Sequence, residues 1–378
     1  MRRLHAGNGH RDIQFIGMIR TNNVSEIHGA ANNREGVIDP RFVAQFARAH
    51  EENGFDRILI GYHTTAPDGW ALASHAAAHT EKLHMLLAHR PGFVSPTVAA
   101  RKAVTIDNLS GGRFSFNIVT GGSDEDQTRD GDWTTKDQRY RRTDEFLDVA
   151  RLVWTSDKPF DYDGEFYKVR NAFSEPKPLQ QPSIPIYFGG ASGAAVPVGA
   201  KHADVYMLWG EPIAAVKERI AAVKAAAPAG RSPEFSVSLR PIIAPTEAKA
   251  WEKARDYLDL ILRSQAPGYL PGVSTRPGAT GSQRLLDFAA EKEIHDKRLW
   301  TPIAAATGAG GNTTALVGTP EQVAESLLDY YDAGVNNILI RGFQPLEDAI
   351  EYGREIIPIV RAEVARRNQA VPTASAAD

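Results

Sequence analysis

Aromatic, amide, hydroxyl and basic side chains recur directly after short apolar runs in this chain. They are Tyr62, His63 and Thr64; His89 and Arg90; Asn117 and Thr120; Ala191, Ser192 and Gly193; Trp209 and Glu211; Ser238 and Arg240; and Phe343 with Gln344. Few acids accompany them. Such a set suits a flat polar heterocycle and an anion, whereas a divalent metal would want convergent carboxylates or histidines. Gly189-Gly190-Ala191-Ser192-Gly193 follows the strand-like Pro185-Ile186-Tyr187-Phe188 and opens a helix. Its backbone N–H groups and Ser192 Oγ can therefore face a phosphate at the positive helix end, although the same segment also serves as a tight turn that binds nothing. A hydrolase elbow needs glycine two places either side of the serine; Gly190 fits and Ala194 does not. His75 and His79 have the spacing of a metal pair but no glutamate between them and no third ligand after them, so they read as surface or core histidines. Asp124-Glu125-Asp126 reads as a solvated loop. Arg139-Tyr140-Arg141-Arg142 reads either as a basic surface run or as a clamp in which arginine and tyrosine hold a phosphate and its ribityl chain.

The elements that must position these groups form a regular series. Eight β-branched or aromatic runs, 12–19, 55–62, 83–90, 114–121, 184–190, 204–209, 235–243 and 336–343, alternate with segments whose apolar residues stand three and four apart, 40–53, 96–109, 139–155, 212–227, 246–263, 319–333 and 346–367. Consecutive apolar residues such as Ile58-Leu59-Ile60 and Ile338-Leu339-Ile340 require strands covered on both faces, hence parallel ones. Eight strands and no dinucleotide fingerprint favour a (β/α)8 barrel, an α/β TIM barrel, over an open doubly wound sheet. In such a barrel chemistry sits at the carboxyl ends of the strands, where the residues named above fall.

The expected organisation is one domain over 1–366, with insertions after strands 4 and 7, and a disordered tail over 367–378. The second insertion, at about 264–318, is glycine-rich and is the candidate mobile loop. Zero cysteines exclude disulfides, thiolate zinc sites and a cysteine nucleophile, and 46 acidic against 43 basic residues leave a net charge of −3. That balance argues against a general nucleic-acid or anionic-membrane binder. No apolar run approaches the ~18 residues of a membrane helix and the first dozen residues are polar, so the expected location is the cytoplasm.

From about Ile13 to Arg361 the sequence resembles the flavin-dependent monooxygenases of the bacterial-luciferase-like superfamily, the alkanesulfonate monooxygenases in particular. The resemblance rests on Leu109-Ser110-Gly111-Gly112-Arg113, Asn117-Ile118-Val119-Thr120-Gly121, Asp130-Gly131 with Arg139-Tyr140, Pro185 to Ser192, Trp209-Gly210-Glu211-Pro212 and Thr314-Ala315-Leu316-Val317-Gly318, in that order and spacing. It implies a dimeric or tetrameric barrel that takes reduced FMN (FMNH2) from a separate NAD(P)H-dependent FMN reductase, adds O2 at flavin C4a and cleaves a small organic sulfonate to aldehyde and sulfite. Carried over by motif, the FMN site comprises Tyr62, His63, His89, Asn117, Thr120, Arg139, Tyr140 and the loop Ala191, Ser192, Gly193. Arg240, His63 and Trp209 would be catalytic, and Trp209, Ser238, Arg240, Phe343 and Gln344 would meet the substrate; no metal is implied.

The departures from the family pattern lie on the substrate side. The sulfonate-pocket arginine of strand seven falls on Ser238, its nearby histidine on Arg240, and the last-strand Tyr-Pro-His on Phe343-Gln344-Pro345. A lid arginine falls on Ala309, a reactive-site cysteine on Ala66 and a first-strand histidine on Thr21. The flavin half is kept and the substrate half rewritten, which opens sulfones, pyrimidines and ketones as alternatives to a sulfonate. Hydride transfer with a flavin or deazaflavin and no oxygen activation is the further alternative.

Overall fold

A computed structural model describes residues 12–28, 37–264, 278–309 and 314–370. Among the described residues eight parallel strands close a ring: β1 (Gln14–Met18), β2 (Arg57–Ile60), β3 (His84–His89), β4 (Phe114–Val119), β7 (Ile186–Gly189), β8 (Val205–Trp209), β9 (Glu234–Ile243) and β13 (Asn337–Ile340). Each pairs with the next, and the β8–β9, β9–β13 and β13–β1 pairings complete the circle. All eight expected strands are present, and the closed (β/α)8 barrel is the fold. Helices on the outside bury what the strands leave apolar, and capping starts them where the sequence signals it. Asp39 accepts from the Arg41 and Phe42 amides ahead of Pro40–Glu52, while Thr135 with Gln138 and Thr319 with Gln322 form capping boxes.

Both long connections carry structure of their own. Between β4 and β7 lie the short helix Asp124–Arg129, the long helix Lys136–Thr155 and an antiparallel hairpin of β5 (Phe160–Asp163) and β6 (Lys168–Ala172). Between β9 and β13 come the helices Glu247–Ser264, Thr280–Glu291 and Pro302–Ala306, and the strands β10 (Ile294–His295), β11 (Leu299–Trp300) and β12 (Ala315–Gly318). β9 is ten residues long and changes partners midway: Ser236 to Leu239 pair with β13, and Arg240 to Ile243 pair with β12, which pairs with β11. Of the expected mobile insertion, 265–277 and 310–313 lie outside the described residues. The segment read as one helix over 346–367 is two, Pro345–Glu355 and Ile357–Ala370, and the rest of the expected tail, 371–378, also lies outside them. No described helix is long and apolar enough to cross a membrane.

Candidate active site

Strand pleating decides which side chains enter the ring. Ile16, Leu86, Tyr187, Val205 and Leu339 form one buried cluster with Leu59 and Met207 against it, and they come from six of the eight strands, so their parity marks the inward face. Below them a polar floor closes the amino end. Arg57 donates to Gln14 Oε1 at 3.2 Å and Ser115 Oγ at 3.3 Å, and Asn337 donates to Glu234 Oε2 at 2.8 Å. The same parity carries Arg90, Asn117, Gly189, Trp209, Ser238 and Arg240 inward at the carboxyl rim.

On the β2–β3–β4–β7 half of the rim, Tyr62 donates its hydroxyl to Asp130 at 2.8 Å, and the Arg90 guanidinium lies 4.5 Å over its ring. Burial, reinforced by the Asp130 carboxylate, pushes the Tyr62 phenol up to about 12. Arg90 and Thr64 donate to the two oxygens of Asp126 at 2.5 and 2.7 Å. Burial alone would raise the Asp126 pKa, but these two donors hold it below the ordinary carboxylate value. Asp124 accepts from Arg139 Nη2 at 2.7 Å. The acidic triplet expected as a solvated loop is therefore a helix, two of whose acids fasten rim arginines. His63, beside Tyr62, is exposed.

Asn117 lies opposite Tyr187 across the β4–β7 pairing, and its Oδ1 is buried with no hydrogen-bond partner, as is Ser192 Oγ. Thr120 is buried just past the end of β4. A Cβ on Gly193 would meet nothing within 4 Å, and one on Gly189 would meet only Val119 and Asn117, at 3.9 and 4.0 Å, so there is room above both. A Cβ on Gly190 would lie 3.4 Å from the Tyr140 hydroxyl and 2.6 Å from Ala195, which requires glycine there. Ala191 receives Arg219 on its carbonyl at 2.8 Å, which fixes the loop. Of the basic run, Arg139 and Tyr140 are buried, Arg139 Nε has no partner, and Arg142 bonds Asp132; Arg141 meets Glu165 on the surface.

His89 is on the wrong face for a rim ligand. Its ring packs against Trp70, Phe116 and Phe146 at 5.6, 5.2 and 5.2 Å, outside the barrel wall with Met85 and Leu87. Burial, with Lys102 nearby, lowers its pKa to about 3. Pleat alternation explains the misplacement: Leu86 points in, so Arg90 also does and His89 does not.

On the other half, Trp209 packs with Leu285, Leu286, Ala304 and Ala309 of the second insertion. A Cβ on Gly281 would fall 2.1 Å from Trp209 Nε1, so the helix Thr280–Glu291 rests directly on the indole. Arg284 fixes that helix by two 2.7 Å bonds to buried Glu211, and Lys136 reaches Thr280 at 3.2 Å from the opposite half. Ser238 is half-buried and lies opposite both Trp209 and Leu339. Arg240 is 4% exposed; its Nη2 donates to Glu26 Oε2 at 2.7 Å and to the Gly342 carbonyl, and the guanidinium stacks 3.8 Å over Phe343. Phe343 is thus a support beneath Arg240, 1% exposed and packed on Tyr257, rather than an open cavity wall. Gln344 caps the helix Pro345–Glu355, its amide donating to Asp348 at 2.9 Å.

Glu26 is the functional candidate that sequence reasoning missed. It sits in a single helical turn after β1, held by its own amide on the Phe343 carbonyl at 2.8 Å, and it also meets Arg20 at 3.5 Å and Arg341 at 3.6 Å. Burial opposes its ionisation, but Arg240, Arg341 and Arg20 together prevail and lower its pKa to about 2. No local signal marks it, because its partner is 214 residues away.

Among the described residues, the remaining histidines do not converge with acids at this rim. His75 and His79 bond to backbone carbonyls. Asp144, Asp148 and His202 converge on the outer helices, where Lys201 sits on both carboxylates at 2.8 and 2.9 Å and already supplies the positive charge.

The molecule is thus a closed (β/α)8 barrel with an insertion seated on its carboxyl rim, where such barrels carry their chemistry. The family model of the luciferase-like monooxygenases matches residues 14–337, and the chain belongs to that family. Among solved structures, a riboflavin lyase with modified FMN and riboflavin superposes with a TM-score of 0.76 at 19% identity, over 96% of this chain and 97% of that one. EDTA monooxygenase from Chelativorans sp. BNC1 gives 0.74 and 19%, over 96% and 99%. An F420-dependent secondary alcohol dehydrogenase in complex with an F420–acetone adduct gives 0.65 and 18%, over 92% and 99%.

Proposed function

We propose that this protein is a two-component monooxygenase that receives FMNH2 from a separate NAD(P)H-dependent FMN reductase and uses O2 to cleave a small organosulfur compound. The observation that carries the reading is a pair of buried, unpartnered atoms beside the open loop, Asn117 Oδ1 and Ser192 Oγ, with room above Gly189 and Gly193. Buried polar atoms without partners are rare in proteins, and a polar heterocycle with a phosphate tail supplies what they lack.

In this reading Ser192 and the 189–193 backbone hold the phosphate, with Arg139 and Tyr140 behind it. Asn117 and Thr120 orient the isoalloxazine, and Tyr62, His63 and Arg90 line its far edge. Reduced FMN, when bound, supplies the electrons for oxygen activation. The helix Thr280–Glu291, resting on Trp209, excludes water from the reacting centre, as such chemistry requires. Ser238 and Arg240 meet the substrate.

The test combines FMN titration with oxygen uptake in the presence of a reductase, NADH and sulfonates or sulfones. Micromolar FMN binding and substrate-coupled oxygen consumption are expected; NADH oxidation that no candidate substrate couples to product would end the monooxygenase reading. Anaerobic assay with oxidised F420 and a secondary alcohol covers hydride transfer, which predicts ketone and reduced F420 without oxygen. Within the monooxygenase reading, one observation favours a substrate other than a free sulfonate: Arg240 already holds a carboxylate.

A further inference from the structure

We propose that Glu26 sets what the rim accepts: by occupying Arg240 Nη2 it selects substrates that present an uncharged oxygen acceptor, such as a sulfone, sulfoxide or ketone, over free sulfonates. This rests on the reading that substrate enters between Trp209 and Arg240.

The argument starts from what the guanidinium has left to offer. A sulfonate is best held by two parallel N–H donors of one arginine with their charge free. Nη2 of Arg240 is committed to Glu26 and to the Gly342 carbonyl, so that fork is broken. Nε is buried without a partner, and it and Nη1 can still donate singly, but neither can form a parallel pair without Nη2. Stacking on Phe343 and the two Nη2 bonds fix the plane of the group, so it cannot turn its fork outward without losing them.

Glu26 is itself fixed. Its side chain is 10% exposed, its backbone is pinned to Phe343, and Arg20 and Arg341 flank it. An anion arriving at Arg240 would meet this carboxylate at the same nitrogen, in surroundings too dry to screen the repulsion. A buried charge pair that loses one partner is strongly penalised, so displacement of Glu26 by a sulfonate is opposed from both sides. A neutral oxygen meets neither obstacle. Glu26 is in this sense a positioning residue, acting on substrate through Arg240.

Calorimetric binding of methanesulfonate and dimethyl sulfone to the FMN-loaded protein tests this. Wild type should bind the sulfone at least about tenfold more tightly than the sulfonate. Glu26→Gln should tighten the sulfonate at least about tenfold while changing the sulfone by less than about threefold, and Glu26→Asp should keep the wild-type order. Equal affinities in wild type, an unchanged ratio in Glu26→Gln, or failure of wild type to bind the sulfone would overturn the inference; should Glu26→Gln not fold, the wild-type ratio and Glu26→Asp decide. FMN titration runs alongside: normal flavin binding with no charge discrimination removes only the role of Glu26, whereas absence of flavin binding removes the proposed function.

Discussion

Asn117 Oδ1, Ser192 Oγ and Arg139 Nε on the β2–β7 half of the rim are buried without partners, whereas on the β8–β13 half Glu26 answers Arg240 and Glu211 answers Arg284. On the first half Arg90 and Arg139 are paired with Asp126 and Asp124, yet these three atoms have no partner in the protein. The second has met most of its polar needs, and does so with full charges. Breaking the Arg284–Glu211 pair should therefore be read in protein stability, and removing one of the unpartnered groups in flavin affinity.

Arg284→Met strikes the paired half hardest. It leaves the buried Glu211 carboxylate without its guanidinium, and since Arg284 is itself 26% exposed the loss should lie at the low end for buried pairs, about 3 kcal/mol. A thermal midpoint unchanged in this variant would break the comparison. Asn117→Ala tests the other half: FMN affinity should fall by about 2 kcal/mol, roughly thirtyfold, with little change in unfolding free energy, because the amide oxygen has no partner in the protein to lose. Fluorescence titration and denaturant unfolding read the two quantities separately.

His89 sharpens the boundary between rim and wall. The folded protein holds it neutral, with its pKa lowered to about 3 by burial, while the unfolded chain protonates it at the ordinary value of 6.5. Its contribution to stability is thus complete above pH 6.5 and is lost progressively as the pH falls towards 3. His89→Leu should remove about 1.4 kcal/mol of the acid destabilisation seen at pH 5.5 and leave FMN affinity as it was; a weakened flavin complex would return His89 to the site. His50, lowered to about 4 by burial, and His84, also lowered by burial, keep acid sensitivity in both proteins. The smallest effect belongs to Arg141→Ala. Its pair with Glu165 is more than half exposed on both sides, so neither the thermal midpoint nor flavin affinity should change measurably, in contrast to its buried neighbour Arg139.

The ring of strands was legible because strands covered on both faces must be apolar on consecutive residues, a pattern that loops do not imitate. The hairpin β5–β6 was not: Phe160 and Tyr162 do alternate with Asp161 and Asp163, but over only four half-exposed residues, and β6 has Val169 and Ala172 as its only apolar side chains. The helix Thr280–Glu291 was hidden by the glycines around it, one of which, Gly281, is there because Trp209 leaves no space for a Cβ. At the site, residues that follow strands were found by position alone. That rule could not tell His89 from Arg90 without the pleat alternation from Leu86, and it could not find Glu26, whose role exists only once β1, β9 and β13 end side by side.

β9 belongs to the ring as far as Leu239 and to the annex with β12 from Arg240 on. One continuous backbone thus leaves the closed wall at the residue on which recognition turns. Any strain borne by the annex reaches that guanidinium through covalent bonds, with no relay of side chains in between, while hydrogen bonds to β8 and β13 keep the stem of the strand still.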